Sequence, residues 1–257
     1  MTESEGFRQG VVMVRYGEIF LKSEPVKRRF IGQLSKNIAA ALDARGLPHS
    51  IEIHRGRILV YGDDTEAIAA IASRIFGVVD ASVCASASPT REGLAEAAVT
   101  LARQHLRAGQ SFAVRARRQG VEEFSSQELG ALVGEAILDA VPGISVDLTC
   151  PDYEVFVEAR EYGGFVCDNR LPAPGGLPWS TQGRVLGLIS GGLDSPVASW
   201  LMMRRGREKV HLYLDGGCWV GRDRRVVVES HHRLLSTWCM GYPLELYIAN
   251  SEPFFDA

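Results

Sequence analysis

Residues 190–195 read Ser-Gly-Gly-Leu-Asp-Ser, directly after the apolar run 185–189 and directly before Pro196 and a helical stretch. Two adjacent glycines let backbone N–H groups converge on an anion without a Cβ in the way, and the following helix start adds the positive end of its dipole. Ser190 and Ser195 add hydroxyl donors, and Asp194 is placed to hold a divalent cation that bridges phosphate oxygens. The same residues also make a good turn and N-cap. What favours the anion site is the conjunction of all six with a strand before and a helix after, at the crevice where open α/β sheets bind ligands. The chain has no GxxxxGK[ST], which excludes the phosphate-loop kinases and GTPases as the comparison.

The surrounding pattern predicts strands at 184–189, 210–214 and 243–248, alternating with helices at 196–205 and about 225–240. Such alternation specifies a parallel, doubly wound sheet. With three strands the sheet reads as cut short, because open parallel sheets usually have more strands and are covered on both faces. Upstream, 171–183 (LPAPGGLPWSTQG) holds three prolines and three glycines and reads as a linker.

The first 170 residues show a different rhythm. The run 11–16 (VVMVRY) predicts a strand, and a helix follows with Ser23 or Glu24 as cap, Pro25 in its first turn and a stop at Arg45-Gly46. Residues 50–61 alternate as two strands broken at Arg55-Gly56. A second helix follows Asp64 and ends at Gly77; a weak strand at 78–85 leads to a helix from about 91 to 108. Alternation at 111–117 predicts a strand with Arg115 and Arg117 on one face, and Ser125-Ser-Gln-Glu128 predicts a capping box for a helix to Ala140. Strands at 145–148, 154–160 and 164–167 close an α+β module. The domains expected are 1–66, 67–170 and 184–257, joined by the linker 171–183.

At 257 residues the chain has room for two or three domains with real cores. No apolar run approaches the roughly 18 residues of a bilayer span, and residues 1–5 are acidic where a signal peptide would be basic, so no membrane partner and a cytoplasmic location are expected. The net charge of -3 gives no global attraction to phosphates, so any nucleic-acid site must be a local patch. Five cysteines without a CxxC pair are expected to be reduced and mostly buried, and no metal-ligand set is read. His231 and His232, adjacent on a predicted helix, are read as structural.

Two basic clusters stand out. Residues 101–120 hold Arg103, Arg107, Arg115, Arg117 and Arg118 with no Asp or Glu. Taken alone, a charged strand edge that keeps the protein in solution is the simpler reading. Lys22, Lys27, Arg28 and Arg29 crowd the start of the first helix, a poor place for cations that either a phosphate partner or solvent would relieve.

The motif SGGLDS resembles the PP-loop of the ATP pyrophosphatases, which split ATP between its α and β phosphates to adenylate a substrate. The opening Arg15-Tyr-Gly-Glu-Ile-Phe-Leu-Lys-Ser23 with Val26-Lys-Arg-Arg-Phe30 is similar to the N-terminal ferredoxin-like domain of the tRNA 4-thiouridine synthetases, the tRNA sulfurtransferases. Residues 112–120 (FAVRARRQG) with Phe124-Ser-Ser126 resemble their THUMP domain, an RNA-binding module, and 175–178 with 185–198 resemble their linker and PP-loop.

The resemblance implies α+β ferredoxin-like and THUMP domains followed by an incomplete α/β PP-loop domain. It implies an ATP site at Leu188, Ile189, Ser190, Gly191, Gly192, Asp194, Ser195, Leu214 and Asp215, with Asp194 catalytic and Mg2+ as the companion ion. Lys22, Lys27, Arg28, Arg29, Arg115, Arg117 and Arg118 would contact tRNA. The implied reaction adenylates O4 of uridine 8, and a persulfide carrier or sulfide then replaces the activated oxygen. The THUMP unit would read the 3'-end of the acceptor stem. A role in thiamine thiazole synthesis, a homodimer, and a catalytic cysteine or iron–sulfur cluster in a C-terminal part outside this sequence belong to some family members. Two alternatives stay open: another PP-loop RNA-modifying enzyme, and a tRNA-binding module with a non-catalytic nucleotide domain.

Overall fold

Backbone punctuation in the sequence sets most element boundaries in the computed structural model, which describes residues 10–219 and 223–255. The acidic opening residues 1–5 lie outside that range. In chain order the elements are β1 (Val11–Tyr16), a 3-10 turn (Glu18–Leu21), α1 (Glu24–Asp43), β2 (Ser50–His54), β3 (Arg57–Tyr61), α2 (Thr65–Ala72), β4 (Val78–Ala87), α3 (Arg91–His105), β5 (Ser111–Gln119), α4 (Ser126–Ala140), β6 (Ser145–Val146), β7 (Tyr153–Arg160) and β8 (Gly163–Cys167). Then follow β9 (Leu171–Pro172), β10 (Arg184–Leu188), α5 (Asp194–Arg204), β11 (Glu208–Asp215), a 3-10 turn (Gly217–Trp219), α6 (Asp223–Ser236), β12 (Glu245–Asn250) and a 3-10 turn (Glu252–Phe254).

The predicted turns form for the expected reason: Gly46, Gly56, Gly77 and Gly109 all have positive φ, which a side chain resists. The capping box is present, with Ser125 Oγ accepting from the Glu128 amide and Glu128 Oε2 accepting from the Ser125 amide. Several expectations shift. The second helix stops at Ala72, short of Gly77. The strand expected over 145–148 is two residues long, and the linker donates β9, which pairs with β4 at Asp80 and Ala81. The helix α6 spans 223–236 and not 225–240.

The chain divides into two compact units. Of the described residues, the first comprises 10–13, Tyr61–Thr65 and Ser82–Arg170. In it β8 pairs antiparallel with the end of β4 and with β7, while β5 lies parallel to both β7 and β6. Helices α3 and α4 cover this sheet through Leu94, Ala98, Leu129, Val133 and Ile137, all with no exposed surface. Their apolar residues recur at three- and four-residue spacing, so burying that stripe is what holds each helix.

The second unit comprises Val14–Val60, Glu66–Ala81 and the described residues from Leu171 on. Residues 67–81, expected with the RNA-binding module, therefore sit with the ferredoxin-like segment and the PP-loop sheet. The sheet here has the parallel order β10-β11-β12. Both α5 and α6 pack on the same face of it, where Ile189, Met203, Tyr213, Val228 and Leu235 are buried. Leu186, Leu188 and Leu214, alternating with the buried set, are exposed on the other face. Phe76 is 1% exposed in this core and stacks against Trp238 with ring centroids 5.6 Å apart, although it belongs to the segment just after α2.

Further ties join the ferredoxin-like segment to the PP-loop sheet. Asn37 Nδ2 donates to the Trp179 carbonyl at 3.3 Å, and Arg205 at the end of α5 reaches Glu18 at 2.9 Å. Arg15, from the opening motif, is buried against Asp80 at 2.5 Å. These motif residues are structural in this fold.

Candidate nucleotide site and basic groove

The loop 190–195 lies at the carboxyl end of β10, and α5 begins at Asp194. Ile189 is buried in the helix-covered core and its amide donates to the Leu212 carbonyl at 3.0 Å, which fixes the base of the loop. Its side chain is thereby removed from any ligand. Ser195 Oγ accepts from the Ser190 amide at 2.9 Å and lies 3.1 Å from Ser190 Oγ, so the two serines close the loop on itself. The Gly192 amide makes a long contact to Ser190 Oγ at 3.4 Å. The amide of Gly191 forms no hydrogen bond among the described residues.

Neither Gly191 nor Gly192 has positive φ, so no backbone strain requires glycine at either place. A Cβ on Gly191 would meet its nearest neighbours at 3.9 Å, and one on Gly192 would meet Ser190 Oγ at 3.7 Å, both ordinary contacts. Gly176 contrasts sharply: its φ is +78° and a Cβ would fall 2.1 Å from the Arg204 carbonyl. The fold demands glycine at 176 but not at 191 or 192. What bare backbone there does provide is close approach by a ligand.

Asp194 is exposed in the first turn of α5 and has no ion pair among the described residues. Leu193 precedes it as N-cap without a side-chain cap, so the helix start is left open to an incoming acceptor. Asp215, at the end of β11, is already engaged: its Oδ1 accepts from the Gly217 amide at 3.1 Å and its Oδ2 lies 3.8 Å from Arg225. Leu188 and Leu214 present exposed side chains at the ends of their strands. The nine residues expected for ATP are thus brought together on β10, the loop, α5 and the end of β11. Sequence reasoning missed His231, whose Nδ1 lies 3.3 Å from the Ser190 carbonyl, and Arg225. Both come from α6, and nothing local in the sequence marks which side of that helix meets the loop.

The basic residues fall in different units. Lys22, Arg28 and Arg29 are exposed in the second unit, while Lys27 is tied to Glu24 at 2.5 Å within its own helix turn. In the first unit Arg115, Arg117 and Arg118 lie on β5. Arg115 pairs with Glu154 at 2.7 Å and donates to the Leu148 carbonyl at 2.9 Å, so part of its charge is already neutralised. Arg118 donates to the Val121 carbonyl at 2.6 Å. Arg117 has no such partner among the described residues. Arg115 and Arg117 border an open groove of about 730 Å3 between β5 and α4, walled by Val114, Gly130, Gly134 and Leu148. A Cβ on Gly130 would meet Ala116 at 3.6 Å and one on Gly134 would meet Val114 at 3.9 Å, both ordinary contacts.

Family models match in order: the ThiI ferredoxin-like domain at residues 11–82, the THUMP domain at 90–166 and the thiamine biosynthesis protein ThiI at 180–256. A relative from Methanosarcina acetivorans named as a tRNA sulfurtransferase is 40% identical over 95% of this chain and 62% of its own length. One of the same name from Halobacterium salinarum is 38% identical over 95% of this chain and 63% of its own. The chain thus spans a little over 60% of the length of these curated relatives. The crystal structure of PH1313 from Pyrococcus horikoshii superposes with a TM-score of 0.83 at 30% identity, covering 96% of this chain and 80% of that one. A 4-thiouridine synthetase–RNA complex with bound ATP superposes with a TM-score of 0.80 at 28% identity, over 95% of this chain and 63% of that one. With all three domain models matched in order and relatives aligned along nearly its whole length, the chain belongs to the ThiI family.

Proposed function

We propose that the protein binds ATP at the 190–195 loop and uses it to thiolate a tRNA uridine, giving 4-thiouridine, AMP and pyrophosphate. The observation that carries this reading is an open loop with two glycines the fold does not require, in a chain that also matches an RNA-binding THUMP model. The names of its relatives and the ATP and RNA of the 4-thiouridine synthetase complex support the same reaction.

In the proposed step, O4 of the uridine attacks the α-phosphorus of ATP and the bond to the β-phosphate oxygen breaks, releasing pyrophosphate. Sulfur then adds at C4, and AMP leaves with the former O4. Sulfide gives 4-thiouridine directly, whereas a persulfide's outer sulfur forms a disulfide between C4 and the carrier, which a second thiolate cleaves by bonding to the carrier's sulfur, leaving the outer sulfur on C4. The Gly191 and Gly192 amides, the serine hydroxyls and the start of α5 would hold the phosphates, an electrostatic role that strengthens as charge develops on the leaving group. Asp194, an exposed carboxylate with no ion pair among the described residues, fits an oxygen ligand for Mg2+, whereas Asp215 is already engaged. Magnesium, when bound, would neutralise charge across the phosphate oxygens.

The groove beside Arg115 and Arg117 is proposed to take the single-stranded 3'-end of tRNA, its small apolar walls suited to a base and its guanidinium rim to the backbone. The second basic set, Lys22, Arg28 and Arg29, is proposed to meet phosphates elsewhere on the same RNA. The sulfur donor is a persulfide carrier or sulfide. No helix among the described residues is long and apolar enough to cross a membrane, and the proposed site of action is the cytoplasm.

The experiment is release of pyrophosphate from ATP with and without tRNA, followed by nucleoside analysis of the RNA. Release that requires tRNA, with 4-thiouridine in the product, is expected. A different thionucleoside would assign another RNA-modifying reaction, and tRNA binding without pyrophosphate would leave a binding module. Asp194→Ala should abolish release while tRNA affinity stays the same.

A further inference from the structure

The carbonyl of Ser190 is approached by two side chains: Ser195 Oγ at 3.5 Å, and His231 Nδ1, from α6, at 3.3 Å. A carbonyl only accepts hydrogen bonds, so in the second contact the proton sits on Nδ1. The Ser190–Gly191 peptide is trans, as every described peptide is, and in a trans unit the C=O and the N–H point in opposite directions. Holding the Ser190 carbonyl towards α6 therefore turns the Gly191 N–H away from that helix.

Gly191 N–H has no partner among the described residues, whereas the amides of its neighbours Ser190 and Gly192 both contact serine hydroxyls of the loop. It is also easy to misdirect. A peptide flips by changing ψ of the residue before and φ of the residue after, and glycine puts almost no restriction on φ. A loop that keeps glycine for ligand access needs some other group to hold that peptide. Helix α6 lies where it can do so: the Arg224 carbonyl and Val227 Cγ1 would both be 3.9 Å from a Cβ on Gly191.

We propose that His231 is a positioning residue that latches the Ser190–Gly191 peptide and so aims the Gly191 amide at a phosphate oxygen of the bound nucleotide. The inference rests on the phosphate-loop reading above and adds a residue to it. Adjacent imidazoles on α6 then have separate tasks: His232 turns to His211 in the core, and His231 turns to the loop.

Two measurements test the latch. Nitrogen NMR of the side-chain imidazoles, on the chain without nucleotide, should show His231 as the Nδ1–H tautomer; an Nε2–H tautomer overturns the latch whether or not ATP binds. Calorimetric titration with ATP·Mg2+ should show about tenfold weaker binding for His231→Ala, the loss expected for one oriented hydrogen bond. His231→Asn, whose amide donates from near the Nδ1 position, should recover most of it. Wild-type affinity in His231→Ala overturns the latch and leaves the phosphate loop standing, and equal losses in the Ala and Asn variants assign packing, which also overturns it. A wild-type chain that binds no ATP·Mg2+ overturns the phosphate-loop reading and, with it, the role of the latch.

Discussion

The imidazoles of His211 on β11 and His232 on α6 share one hydrogen bond, Nδ1 to Nδ1 at 3.1 Å, with His211 completely buried. One nitrogen must donate and the other accept, so the pair cannot exist with both rings protonated. Burial is the main cause that pushes His211 down to about 4, with His232 and Lys209 nearby adding to it, and burial likewise lowers His232. The Nε2 of His211 is buried without a partner among the described residues, which makes charging that ring still harder to accommodate.

Because the folded state holds His211 neutral, the unfolded chain binds more protons between about pH 6.5 and 4. The associated stability is complete above the unfolded value and is lost as pH falls through that window. Chemical denaturation at pH 7 and pH 5 should show a loss of about 2 kcal/mol from this ring. His211→Leu should remove that part of the acid dependence, and an unchanged difference between the two pH values would contradict the assignment.

Gly191→Ala and Gly192→Ala should leave stability within about 0.5 kcal/mol of wild type, since each Cβ meets only ordinary contacts. Each should weaken ATP binding by roughly tenfold or more by obstructing the phosphates. Gly176→Ala should instead cost more than about 2 kcal/mol, combining positive φ with a clash on the Arg204 carbonyl. Urea titrations beside calorimetry separate the two kinds of glycine.

Arg117→Ala should weaken tRNA binding and reduce the slope of log K against log salt by about 0.7 to 0.9, the value for one phosphate contact. Arg115→Ala should change the slope less, because the Glu154 carboxylate already offsets that guanidinium. Equal slopes for wild type and Arg117→Ala would place the RNA elsewhere.

Phe76→Ala should destabilise the second unit by about 3 to 5 kcal/mol, the usual cost of emptying a buried phenyl site. Tryptophan fluorescence reports it directly, since Trp200 and Trp238 both lie 5.6 Å from that ring. A loss below 1 kcal/mol would mean that the segment after α2 is not part of the PP-loop core.

The chain's local grammar determined a great deal. The glycine turns, the capping box at Ser125, the PP-loop between β10 and α5 and the parallel alternation around it depend on residues within one or two turns of each other, where backbone sterics and short hydrogen bonds act. Only the tertiary structure decided that Glu154 partly neutralises Arg115, that Phe76 enters the core of the PP-loop sheet, and that His231 and not His232 meets the Ser190 carbonyl. Those outcomes join residues far apart in sequence. Apolar burial, which sets such meetings, is non-directional and proportional to area, so composition tells which side chains are buried and not which ones meet.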